Sequence, residues 1–97
     1  MGNTRRFRNA VGQQIREQRI ASGLSQDRLA VKLQLAGLTL DRSAVAKIES
    51  GLRSVFDYEL AVIARCLGIS ADALFPTPKE LREILPALLD GQIAKAP

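Results

Sequence analysis

Apolar positions along this chain recur at helical intervals. From Asn9 onward, Val11, Ile15 and the step from Gln18 to Arg19 follow a spacing of three to four, and Gly23 supplies a stop. That pattern predicts a first helix over roughly Asn9 to Ser22, with Gln13, Gln14, Arg16 and Glu17 in water. Ser25 is an N-cap residue ahead of Leu29, Ala30 and Leu33, and Gly37 can take the left-handed conformation that ends a helix near Leu35 or Ala36. Leu38, Thr39 and Leu40 predict an extended connector packed inward. Asp41 then caps a third helix, Arg42 to Ser50, closed by Gly51. After a loop from Leu52 to Phe56, Asp57 favours the start of a fourth helix, whose stripe Leu60, Ile63, Ala64 and Leu67 runs to Gly68. Ser70 opens a short fifth helix, with Leu74 and Phe75 expected to close the bottom of the core before Pro76 and Pro78 break the chain.

Beyond that point, residues 79–90 are amphipathic through Leu81, Ile84, Leu85, Leu88 and Leu89, but Pro86 interrupts the pattern. A proline inside a helix removes a donor and crowds the preceding turn, so one or two helical turns are expected on either side of it. Residues 1–8, with Arg5, Arg6 and Arg8 around Phe7, read as a mobile basic arm, and residues 91–97 as a loose end. The expected organisation is an arm over 1–8, a domain over 9–75 and a partly helical tail over 76–97.

Composition narrows the classes. A length of 97 residues suits one domain with one modest core and leaves no room for a separate effector-sensing domain. Aromatic residues make up 4% of the chain against 46% hydrophobic, so the core must be aliphatic, which favours packed helices and an all-α fold. The single cysteine, Cys66, cannot form an internal disulfide, and the chain holds no histidine, so no metal or other cofactor is expected. Without histidine, a glycine-rich phosphate loop or a clustered set of carboxylates, an enzyme is not expected either. No apolar run is long enough to span a membrane and no secretory stretch opens the chain, so a cytoplasmic protein is expected. The net charge of +4 is unevenly placed: most of the lysines and arginines fall before Ser54, and acids outnumber them after it. One basic face and one neutral or acidic face suit contact with a polyanion.

The segment GLSQDRLAVKLQLAGLTLDRSAVAKIE joins two short helical patterns through a glycine, the second cationic on one side. Together with GLSQDRLA, the elements DRSAVAKIESGLR and LAVIARCLGISADALF make residues 9–75 resemble the Cro/phage-repressor, or XRE-type, helix-turn-helix family. The resemblance implies a lambda-repressor-like five-helix domain with its third helix in the DNA major groove, and a homodimer on a two-fold site. It also implies roles for individual residues. Arg42, Ser43 and Lys47 match base-contacting positions, and an arginine there suits the O6 and N7 acceptors of guanine. Gln26, Arg53 and Ser54 match phosphate-contacting positions, while Glu49 matches an acid that pairs with a helix 1 arginine, here Arg19.

Three departures from the family pattern stand out. QLAGLTLDRS occupies the place of a tight glycine turn, an extension that a longer second helix and the Leu38 to Leu40 connector would absorb. Gln18 replaces a usual leucine, and Val55 with Asp57 replaces the usual proline before helix 4. The expectation is a sequence-specific transcriptional regulator of prokaryotic or phage type, a repressor, binding double-stranded DNA as a dimer. The alternative is an antitoxin or other protein-interaction module, whose leucine-rich tail would hold a small protein partner.

Overall fold

The computed structural model describes residues 6–89. Within them lie five α-helices and no strand: α1 (Gly12–Ala21), α2 (Gln26–Leu35), α3 (Arg42–Glu49), α4 (Asp57–Leu67) and α5 (Pro78–Leu89), with a short 3₁₀ helix, Ala71–Leu74, after α4. The fold class is all-α, and no helix among the described residues is long and apolar enough to cross a membrane. Residues 1–5 and 90–97 lie outside the described residues, so most of the expected arm and the loose end fall there.

Local chemistry accounts for the boundaries. Ser25 Oγ accepts from the Arg28 amide at the start of α2, and Asp41 Oδ1 accepts from the Ala44 amide at the start of α3. α1 begins later than its apolar spacing predicts. The Asn9 side-chain oxygen accepts from the amides of both Val11 and Gly12, which holds residues 9–11 in a turn ahead of the helix. α3 ends one residue earlier than expected, with Ser50 as its C-cap. The extra length between α2 and α3 becomes a last turn of α2, Gly37 at φ 94° and the connector, in which Leu40 is buried and Leu38 half-buried.

The core is aliphatic throughout. Ile15 of α1, Leu29 and Leu33 of α2, Val45 and Ile48 of α3, Ile63 of α4 and Leu74 of the 3₁₀ helix are almost fully excluded from solvent. α3 packs on α1 and α2, while α4 and the 3₁₀ helix close the other side. Gly12 is where α1 meets α3 most closely: a Cβ there would lie 2.2 Å from the Ile48 carbonyl oxygen, so no larger residue fits without moving backbone.

Three expectations need correction. Leu74 closes the core but Phe75 does not, being 52% exposed. The element before it is a single 3₁₀ helix, and Pro76 disfavours the helical region for Phe75, whose extended backbone (φ −91°, ψ 143°) turns the ring outward. Pro86 does not split the tail, since α5 runs unbroken from Pro78 to Leu89. The carbonyl deprived of a donor belongs to the exposed Arg82, where water can serve it. Gln14 is half-buried rather than in water, because Phe7 and Ile84 help to line a cleft over that side of α1.

α5 stands apart from the rest: none of its residues is buried, and Leu81 and Leu85 are 37% and 39% exposed. A backbone tie to the body runs through the end of the expected arm, where the Phe7 amide donates to the Ala87 carbonyl and the Arg8 amide to that of Gly51. Residues 7 and 8 are thus hydrogen-bonded to the body and to α5, with Phe7 lying where a Cβ on Gly51 would be 2.7 Å from the ring.

Candidate nucleic-acid interface

α3 is short, and its two sides differ sharply. Residues in an α-helix are about 100° apart around the axis. Val45, Ile48 and Glu49 consequently share one side, and all three are buried. Ser43 and Lys47 fall on the other side, Arg42 lies at the edge of the buried side in the first turn, and all three are exposed, with the small Ala46 between them half-buried. Asp41 fixes the N-terminal end of the helix, leaving the three polar side chains projecting from a capped, anchored cylinder.

The anchor is electrostatic as well as apolar. Arg19 Nε donates to Glu49 Oε2 at 2.6 Å and Nη2 to Oε1 at 3.0 Å, a bidentate pair in which the two side chains are 10% and 3% exposed. Arg19 Nη1 also donates to the Leu24 carbonyl, and Gln26 Nε2 donates to Glu49 Oε1 at 3.0 Å. One carboxylate thus ties α1, the start of α2 and the end of α3 together. Such a pair fixes geometry better than it adds stability, because desolvating both charges offsets most of their attraction. The Gln26 amide, expected to reach a phosphate, is here turned toward Glu49.

Arg53 also has partners within the chain. Its Nη1 and Nη2 donate to the two carboxylate oxygens of Glu59 at 2.9 and 3.0 Å, and Nη1 donates to the Ser54 carbonyl. The Phe56 amide donates to the same carboxylate, so Glu59 completes the start of α4 where Phe56 offers no capping side chain. The hydrogen-bonded guanidinium, and then the Phe56 amide, hold the Glu59 carboxyl below its ordinary range, while Glu59 raises Arg53. Arg53 is therefore a structural strut of the α3–α4 loop, and Ser54 beside it is exposed.

Two residues important to the interface carry weak sequence signals. Asn9 Nδ2 donates to the Ile48 carbonyl at 3.0 Å and to the Arg53 carbonyl at 2.8 Å, joining the start of α1 to the end of α3 and the following loop. Its turn-favouring character was visible, but its partners about forty residues away were not. Glu59 reads as an ordinary first-turn acid, and nothing in its spacing marks it as the partner of Arg53.

Between α2 and α3 lies an open trench of about 640 Å³, lined by Gln26, Ala30, Val31 and Gln34 on one wall and Arg42, Ser43 and Ala46 on the other, with Asp27 and Asp41 also contributing. Lys47 and the Arg53 and Ser54 loop lie outside it. The structure thus brings Gln26, Arg42 and Ser43 to one concave surface. Among the described residues no group of acids, cysteines or histidines is placed to hold a metal ion.

Two short helices crossing over a shared core, the second presenting a basic, uncovered side, define a helix-turn-helix DNA-binding regulator. The family described as "Helix-turn-helix domain" matches residues 10–75, and the chain belongs to it. Among solved structures, it is similar to the restriction-modification controller protein C.AhdI from Aeromonas hydrophila, at 42% identity over 67% of this chain and 87% of that one, with a TM-score of 0.59. The hypothetical transcription factor NHTF from Neisseria is similar over 87% of this chain and 91% of its own, at 25% identity and a TM-score of 0.62. The DNA-binding domain of BldD shares the fold at 24% identity and a TM-score of 0.60, over 72% of this chain and 94% of that one. No curated protein matches the chain at a comparable level of significance.

Proposed function

We propose that this regulator represses transcription by binding a two-fold DNA site as a homodimer, with α3 of each copy lying in the major groove. In this reading Arg42 bridges the O6 and N7 atoms of a guanine, Lys47 donates to base acceptors one turn further on, and Ser43 accepts either base type at its position. Gln26 and Ser54 contact phosphate, and Arg53 adds its charge and the donors left free by Glu59, which raises affinity for every sequence alike. The carrying observation is that α3 is held on its inner side by Val45, Ile48 and the Arg19–Glu49 pair while Arg42, Ser43 and Lys47 remain uncovered. The 42% identity to a controller protein supports a regulatory role.

The second copy docks on α5, whose Leu81, Ile84, Leu85 and Leu88 form an apolar stripe that this chain leaves largely open. Two copies would place their α3 helices on half-sites one helical turn of DNA apart, about 34 Å. The protein works in the cytoplasm, where its DNA target lies, and uses no catalysis.

Selecting bound sequences from a random duplex pool tests this proposal. A two-fold motif with a guanine in each half and half-sites about one helical turn apart is expected. Recovery of unenriched sequences, or of none, would overturn it.

A further inference from the structure

We propose that the trench between α2 and α3 is a thymine-reading subsite, in which Val31 covers the 5-methyl group of a thymine neighbouring the base under Arg42. This deepens the reading that α3 enters the major groove and rests on it. Val31 is 52% exposed on α2, which directs Leu29, Ala30 and Leu33 into the core, and unlike the more exposed Leu35 it lines the same trench as Arg42, Ser43 and Ala46. A β-branched side chain has few rotamers to lose, so it presents a fixed apolar surface to whatever enters.

The other lining residues decide what that is. Asp27 and Asp41 are among the lining residues, and their charge makes the trench a poorer seat for a phosphate than for the uncharged edge of a base. Among the four bases, thymine alone offers a methyl group on its major-groove edge. The small Ala46 opposite leaves space for that group, and Arg42, in the same lining, can address the acceptors of the adjoining base pair. Specificity would then come from both helices of the motif: α3 supplies charged donors, and α2 supplies a methyl-sized apolar contact.

Replacing single thymines of the selected duplex by deoxyuridine removes only the methyl group and leaves every hydrogen-bonding atom in place. At one thymine per half-site, wild-type protein should lose about fourfold in affinity, the value of one buried methyl-sized group. Val31→Ala should bind the thymine duplex more weakly and bind the two duplexes alike. Val31→Ser, an independent change at the same exposed position, should do the same, with circular dichroism checking that each variant is folded. The subsite is refuted if no deoxyuridine replacement weakens the wild type, or if the Val31 variants keep the full thymine preference. Failure of the underlying reading looks different, because then no duplex is selected and there is no site in which to replace a thymine.

Discussion

Glu59 carries more of the interface than its position suggests. Its side chain is 5% exposed, and its carboxylate accepts from both terminal nitrogens of Arg53 and from the Phe56 amide, so one acid holds the loop after α3 and starts α4. Because these donors lower the carboxyl's pKa below the ordinary 4.5, the folded state favours the ionised form. The stabilisation is therefore complete at pH values above the ordinary carboxylate range, and it is lost as pH falls through the lower folded-state value. Thermal unfolding followed from neutral pH down to about pH 3, across the ordinary carboxylate range, should show wild-type protein more stable than Glu59→Gln at neutral pH, with the gap closing in acid. A gap independent of pH would mean that Arg53 does not hold the ionised carboxylate. Gly12 and Asn9 act by proximity instead, the first by lacking a side chain where α1 meets the Ile48 carbonyl and the second by bonding to that same carbonyl.

At the scale of the element, α3 depends on the Arg19–Glu49 pair for its orientation more than for its stability. Removing one partner leaves a buried charge unpaired, so Glu49→Ala or Arg19→Ala should cost about 3–5 kcal/mol. Replacing both by well-packed apolar residues, Arg19→Met with Glu49→Leu, should recover most of that in denaturant unfolding while DNA affinity stays reduced, because Gln26 loses its acceptor. Equal stability losses in the single and double variants would contradict the coupling. The motif itself was readable from sequence, because Ser25 and Asp41 announce helix starts and Val45 with Ile48 mark the inner side of α3. What escaped depends on tertiary structure. The outward turn of Phe75 follows from Pro76 acting on a 3₁₀ helix, and the continuity of α5 through Pro86 depends on an exposed Arg82 carbonyl. The Gln26 and Arg53 contacts required knowing that Glu49 and Glu59 lie beside them, which spacing along the chain does not reveal.

For the whole molecule, the apolar stripe of α5 and the basic side of α3 make dimerisation and DNA binding separable. Leu85→Glu places a charge on the stripe at a residue already 39% exposed, so the fold should survive while the dimer dissociates. In sedimentation at micromolar concentration, this variant should behave as a monomer where the wild type is a dimer. Its DNA affinity should fall steeply because the two half-sites no longer act together; a dimeric variant would remove α5 from the interface. Wild-type binding should also weaken as salt rises, with a log-log slope set by the number of phosphates neutralised. The most direct test of the central claim, that α3 reads bases with its uncovered basic side, is to compare wild type and Arg42→Ala on the selected duplex and on its variants at the guanine position. Loss of about 1–3 kcal/mol for the selected duplex, together with loss of preference at that one base pair, is predicted. Unchanged affinity with an unchanged guanine preference would contradict it.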